Sequence, residues 1–135
     1  MTTTHMVLAC VVACLVASFT DWLFFGVLFH ERYKAFPEVW RRPPGAGGEG
    51  KDVGAAIVIG FLTPVCFVLL CRALHLSGLR EVMLLVLGTW SATALPLLVT
   101  NHIFMKMHPL VLVSHALGWL AKLVVSGAAV IWLMR

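Results

Sequence analysis

Asp21 is the only Asp, Glu, Lys or Arg between Met1 and His30, and Lys122 is the only one between Met107 and Met134. An ionisable group inside a bilayer costs about 2.5–3.5 kcal/mol on insertion scales, so each of these residues calls for a partner or a task. Counted along opposed helices, Asp21 lies about eight residues from one end of its apolar run, and Lys122 about thirteen from the same end of its own. At 1.5 Å per residue their depths differ by roughly 7–8 Å, which a long lysine stem can largely close. Asp21 and Lys122 are therefore a candidate ion pair locking the first helix to the last. A competing reading has Lys122 snorkelling alone, with Asp21 hydrogen-bonded elsewhere. A third has both lining a transport path or proton relay.

Other polar side chains cluster toward the same end. Asp21, Asn101, His102 and His115 fall in one half of the membrane and form a candidate polar pocket, provided their helices turn them toward one another. The alternative is that Asn101 simply ties helices together by hydrogen bonding. In the stretch from His102 to His108, the side chains of His102, Met105, Met107 and His108 offer imidazole and thioether, soft ligands suited to Cu(I). Their spacing matches no firm metal signature, so the sequence calls for no metal and no cofactor. Cys10, Cys14, Cys66 and Cys71 sit in apolar runs and read as small buried residues, with no Cys-x-x-Cys among them. Phosphate loops, nucleophile elbows and zinc-protease motifs are absent, and no catalytic residue is assigned.

These residues are positioned by an unusually oily chain. Of 135 residues, 61% are hydrophobic and 12% charged, against about 45–50% and about 25% in ordinary soluble domains. A small soluble fold leaves too much surface exposed to hide that excess. Nine of the sixteen charged residues lie between Glu31 and Asp52 with both signs mixed, which is not the basic stripe of a nucleic-acid binder. Four apolar stretches, about 5–29, 53–76, 82–105 and 109–134, are each long enough to cross a bilayer as a helix. None alternates with the period of two that a membrane strand requires. The sequence therefore predicts an all-α integral membrane four-helix bundle, a single domain over 1–135 with one long loop at about 30–52. The first stretch reads as an uncleaved helix, because no Lys or Arg precedes it and its apolar run continues past Ser18.

The long loop divides in two. From Glu31 to Arg42 it carries Tyr33, Phe36 and Trp40 among charges, a composition suited to the membrane interface, where Pro37 limits any short helix. From Pro43 to Gly50 it is linker-like. Pro64 and Pro96 are expected to kink the second and third helices. The small residues Gly54, Ala55, Gly60, Gly88, Ala92 and Gly118 are expected to mark packing seams. Loops one and three share a side and hold Arg32, Lys34, Arg41, Arg42, Lys51 and Lys106. The other side holds Arg72, Arg80 and Arg135. The positive-inside rule then puts both termini outside and the long loop in the cytoplasm.

Two elements carry a family resemblance. One is Leu23-Phe24-Phe25-Gly26-Val27-Leu28-Phe29, closing the first helix before an aromatic-basic loop. The other is Leu98-Val99-Thr100-Asn101-His102-Ile103-Phe104, followed by Pro109-Leu110 and then Gly118-Trp119 in the last helix. Together they resemble the four-helix bacterial membrane family called domain of unknown function seventeen-sixty-one, over nearly the whole chain. This chain departs from the family pattern at Val27, where a proline is usual, and at Phe24, where a tryptophan is usual. It departs also at Leu120, where a histidine often stands, and at Asp21, where a small residue is expected. The resemblance implies a bacterial inner-membrane protein of four helices and brings no activity with it.

The functional expectation is a small binding or interaction module and not an enzyme. Its partners are the lipid bilayer, a second copy of itself in a homo-oligomer, or an unidentified small molecule, but not nucleic acid. The rival expectation is a small oligomeric transporter or channel using Asp21 and Lys122, with copper binding by the Met/His stretch a weaker third.

Overall fold

A computed structural model describes residues 2–40 and 47–134. Arg41, Arg42 and Arg135 of the charge count, and residues 43–46 of the linker, lie outside the described residues. The fold is all-α. Four helices are long and apolar enough to cross a membrane: α1 (Thr3–Leu28), α2 (Gly50–Ala73), α3 (Leu79–Phe104) and α4 (Pro109–Leu133). The backbone of α2 stays helical through Lys51 and Asp52, three residues earlier than hydropathy marks, because charged side chains end an apolar run without ending a helix.

Caps set the starts of two helices. The Thr2 side chain accepts from the His5 backbone N–H at 3.4 Å and opens α1. His108 Nδ1 accepts from the Leu110 N–H at 3.1 Å and opens α4, with Pro109 in the first turn. Between α1 and α2, short 3₁₀ turns occupy His30–Lys34 and Pro37–Val39, with Pro37 starting the second as its fixed φ allows.

Both prolines coincide with irregular backbone, and one irregularity has no proline. Pro64 cannot donate to the Gly60 carbonyl, and α2 is interrupted by a turn at Phe61. Ahead of Pro96, α3 widens into a π segment over Trp90–Ala94. In α1 a longer π segment runs Trp22–Leu28, starting immediately after Asp21 and ending in a Phe29 N–H to Phe24 carbonyl bond of 3.2 Å. Segments of this kind often occur at functional sites.

The hub is α4. Half of its most apolar window is buried, against 17–22% for the other three helices. The helices α1 and α2 pack on each other and on α4, while α3 packs on α4 with no substantial contact to α1. The closest seam is lined by Ala9, Ala13 and Ala17, all buried one turn apart on α1. Such small side chains let helix backbones approach closely, which is where membrane helices gain their packing energy. Gly127 of α4 plays the same part toward α3: a Cβ there would stand 2.9 Å from Met83 Cε and 3.0 Å from Val82 Cγ1.

Packing is unequal along the bundle. Phe67, Val68, Cys71, Val82, Val86, Leu123, Val130 and Met134 join Ala9 and Ala13 in one core at the end holding the termini. At the opposite end, residues 51–59 of α2 are exposed throughout and the π segment of α1 buries no residue. Of the small residues expected to form seams, Gly60 and Gly118 do meet neighbours. Gly54, Ala55, Gly88 and Ala92 are exposed, and nothing lies within 4 Å of where a Cβ of Gly54 or Gly88 would be. The alanines of α1 take that role instead, because they face the hub helix.

Candidate functional site

The two intramembrane charges meet. Lys122 Nζ lies 2.7 Å from Asp21 Oδ2, and Lys122 is only 6% exposed. The ammonium also stands 5.3 Å from the centroid of the Trp119 ring, within the range where an aromatic face attracts a cation. On the α2 side, Gly60 leaves the pair room: a Cβ there would sit 3.6 Å from Nζ and 3.7 Å from Oδ2. Three helices thus converge on one charge pair. An alanine fits at position 60 in ordinary contact, whereas a branched side chain would reach into the pair.

A carboxylate can accept several hydrogen bonds. Asp21 Oδ2 is used by Lys122, while Oδ1 is buried and has no protein donor among the described residues. The Asp21 side chain keeps 25% of its surface exposed. One turn along α4 from the lysine, the Ser126 hydroxyl donates to the Lys122 carbonyl at 2.8 Å.

Along the buried face of α4 runs a file spaced by four: Ser114, Gly118, Lys122 and Ser126, all buried. Phe25, on the π segment of α1, fills the step at Gly118, where a Cβ would come within 2.9 Å of its ring. Phe25 also packs on His115 at 4.7 Å between centroids. Beyond it, Tyr33 folds back from the first 3₁₀ turn, its hydroxyl donating to Ser114 Oγ at 3.2 Å and its ring edge-on to His115 at 5.6 Å. The Trp40 indole N–H donates to the Tyr33 carbonyl at 2.7 Å and closes this strap on itself.

Of the four residues expected in a polar pocket, Asp21 and His115 lie on the packed helices α1 and α4, His115 against the ring of Phe25 at 4.7 Å between centroids. Asn101 and His102 are not joined to them by any hydrogen bond or ion pair among the described residues. They lie on α3, which packs on α4 without substantial contact to α1. Asn101 uses its backbone carbonyl for the Met105 N–H, and His102 Nδ1 is buried without a protein partner among the described residues. Two grooves are lined by Thr3, Thr4, Val7, Leu8 and Val11, and by Thr93, Ala94, Leu97, Leu98 and Trp119; none of the four polar residues lines either. In the Met/His stretch, His108 Nδ1 serves as the α4 cap and Met105 is exposed. Among the described residues no group of three or more His, Cys, Asp or Glu side chains is placed to hold a metal.

The pairing of Asp21 with Lys122 was legible from two lone charges in apolar runs. The roles of Gly60, Trp119 and Tyr33 were missed. The spacing of four through Ser114, Gly118, Lys122 and Ser126 is a signal in the sequence that could have found the buried face of α4.

Removing one member of a buried pair leaves the other uncompensated, at a cost of about 3–5 kcal/mol. Asp21→Asn and Lys122→Met are each expected to destabilise the protein on that scale. The double variant is expected to lose clearly less than the sum, measured by unfolding in detergent micelles. Additive losses would mean that the two groups do not act on one another.

Burial pushes the Tyr33 phenol up from its usual range, partly offset by its bond to Ser114. A raised folded-state pKa means that the strap's attachment is at full strength below the ordinary tyrosine value and is lost as pH rises through the higher, folded value. Tyr33 is the only tyrosine, so alkaline tyrosinate absorbance reads it alone. The expected midpoint lies above that of the denatured chain.

No curated protein and no solved structure gives a significant match to the chain. A family model described as Protein of unknown function (DUF1761) matches residues 8–131, and the two elements noted above, 23–29 and 98–104, both fall inside that match. The chain therefore belongs to the DUF1761 family.

Proposed function

We propose that this chain is a small membrane-embedded binding or interaction module whose working part is the loosely packed half of the bundle. The observation that carries this reading is the path of α2. It touches the charge pair at Gly60, and residues 51–59 leading away from that point are exposed on every side. A half-helix of nine residues, roughly 13 Å long and exposed along its whole length, joined to the buried charge pair, suits a surface that another helix covers. The Asp21–Lys122 pair acts in this reading as the fixed end from which the half-helix projects.

A second reading, an oligomeric transporter or channel, draws on the buried Asp21 Oδ1 that lacks a protein donor among the described residues. Against a path within one copy stands the near-complete burial of Lys122 in contact with Asp21 and Trp119.

Val58 and Leu15 are equally exposed, at 65% each. With the four native cysteines replaced, a cysteine at Val58 is expected to crosslink in native membranes, to a second copy or to another protein, and one at Leu15 is not. Equal crosslinking at both positions would count against the module reading. Ion or proton flux in proteoliposomes, abolished by Asp21→Asn, would favour the transporter instead.

We also place the protein in a bacterial cytoplasmic membrane, with both termini outside and the long loop cytoplasmic. The support is the surplus of Lys and Arg in loops one and three. A reporter enzyme that folds only outside the cytoplasm, fused after Arg135, is expected to be active; an inactive fusion with a fluorescent cytoplasmic counterpart would reverse the orientation.

A further inference from the structure

The strap between α1 and the Pro37–Val39 turn runs beside the end of the bundle and below its rim. Tyr33 is bonded to Ser114, the sixth residue of α4, which lies roughly 7–8 Å inside that helix at 1.5 Å per residue. Interfacial segments bury their apolar faces to a depth of about 5–10 Å at the boundary between headgroups and acyl chains. Phe36 and Trp40, the exposed aromatics of the strap, are held at this level because the Trp40 indole is tied to the Tyr33 carbonyl. On the neighbouring end of α3, Phe104 is exposed as well.

The strap's charges are arranged unevenly. Lys34 pairs with Glu31 at 2.7 Å, and Lys106 of the third loop pairs with Glu38 at 3.7 Å. Both acids of the strap are thereby used. Arg32 sits beside Tyr33, is exposed, and has no acidic partner among the described residues. A guanidinium left unpaired at headgroup depth, between aromatic anchors, has one abundant counter-charge available to it: a phosphodiester. Its planar fork matches a phosphate better than an ammonium does.

We propose that the strap is a binding site for anionic phospholipid, with Arg32 on the lipid phosphate, and Phe36 and Trp40 seated among the upper acyl carbons. The headgroup of a lipid already in the bilayer is the ligand, and free phosphate in solution is not. The site serves in whichever leaflet the first loop faces, and it does not depend on what covers residues 51–59 of α2.

The test uses the full chain in mixed micelles holding equal amounts of phosphatidylcholine and phosphatidylglycerol, with retained lipid read by native mass spectrometry. The expected result is a several-fold preference for phosphatidylglycerol. Arg32→Gln should reduce it by about fivefold, the value of one basic residue near an anionic surface. Arg32→Lys should keep most of the preference, and millimolar glycerol phosphate should not compete. Equal retention of the two lipids, a preference that Arg32→Gln leaves intact, or displacement by glycerol phosphate would each overturn the proposal. Should Arg32→Gln fail to fold, quenching by acyl-brominated phosphatidylglycerol decides it. The wild type is expected to be quenched more than Trp40→Phe, and no difference between them would refute interfacial seating of the strap.

Discussion

Two opposite charges in hydrocarbon impose the organising constraint on this bundle. Neither Asp21 nor Lys122 is tolerable alone at its depth, and the 2.7 Å contact between them fixes the lateral and vertical register of α1 on α4 together. In a bilayer the apolar faces of helices gain little by meeting, since lipid tails serve them equally well. Close approach of small residues and polar contacts must therefore specify the arrangement. Here the alanines of α1 supply the close approach, and the charge pair selects one register among the several that a repeat of four would allow.

The pair also marks a boundary. Toward the termini the bundle is closed by aliphatic side chains from all four helices. Toward the first and third loops it is held by Phe25 and Tyr33 packed on His115, with Trp40 against Tyr33, and α2 leaves the group altogether. The π segment of α1 belongs to this second half and begins at the residue after Asp21. A charge fixed by its partner on one side and a widened helix on the other give α1 two mechanically different parts. Phe25 can then reach Gly118 while Ala17, two turns before it, faces the same hub helix.

Much of this was legible in the residues. Lengths and hydropathy located four spans, and the lone charges located the pair, because the penalty for an unpaired intramembrane charge is large enough to act as a rule. Small residues misled at Gly54 and Gly88: a glycine permits close approach without saying which face receives it. The alanine repeat was equally visible and more informative, since it shares a face over three turns. The π segments left no trace in composition. They depend on backbone register, which side-chain types only bias. The grouping of Asn101 and His102 with Asp21 required their helices to turn them toward one another, whereas α4 stands between α1 and α3. Depth can be counted along a sequence, but azimuth around a central helix cannot.

Because the hub is the last of the four helices in chain order, biogenesis runs against the order of need. Synthesis proceeds from the N-terminus, so α1 is delivered to the membrane with Asp21 aboard while its counter-ion is still about a hundred residues from being made. Until α4 arrives, that carboxyl group must be protonated, or sheltered by water near the membrane surface or by the insertion machinery. The three earlier helices meanwhile lack the element against which they pack. A chain stalled or truncated before Lys122 would leave three loose spans and an orphan acid in the membrane.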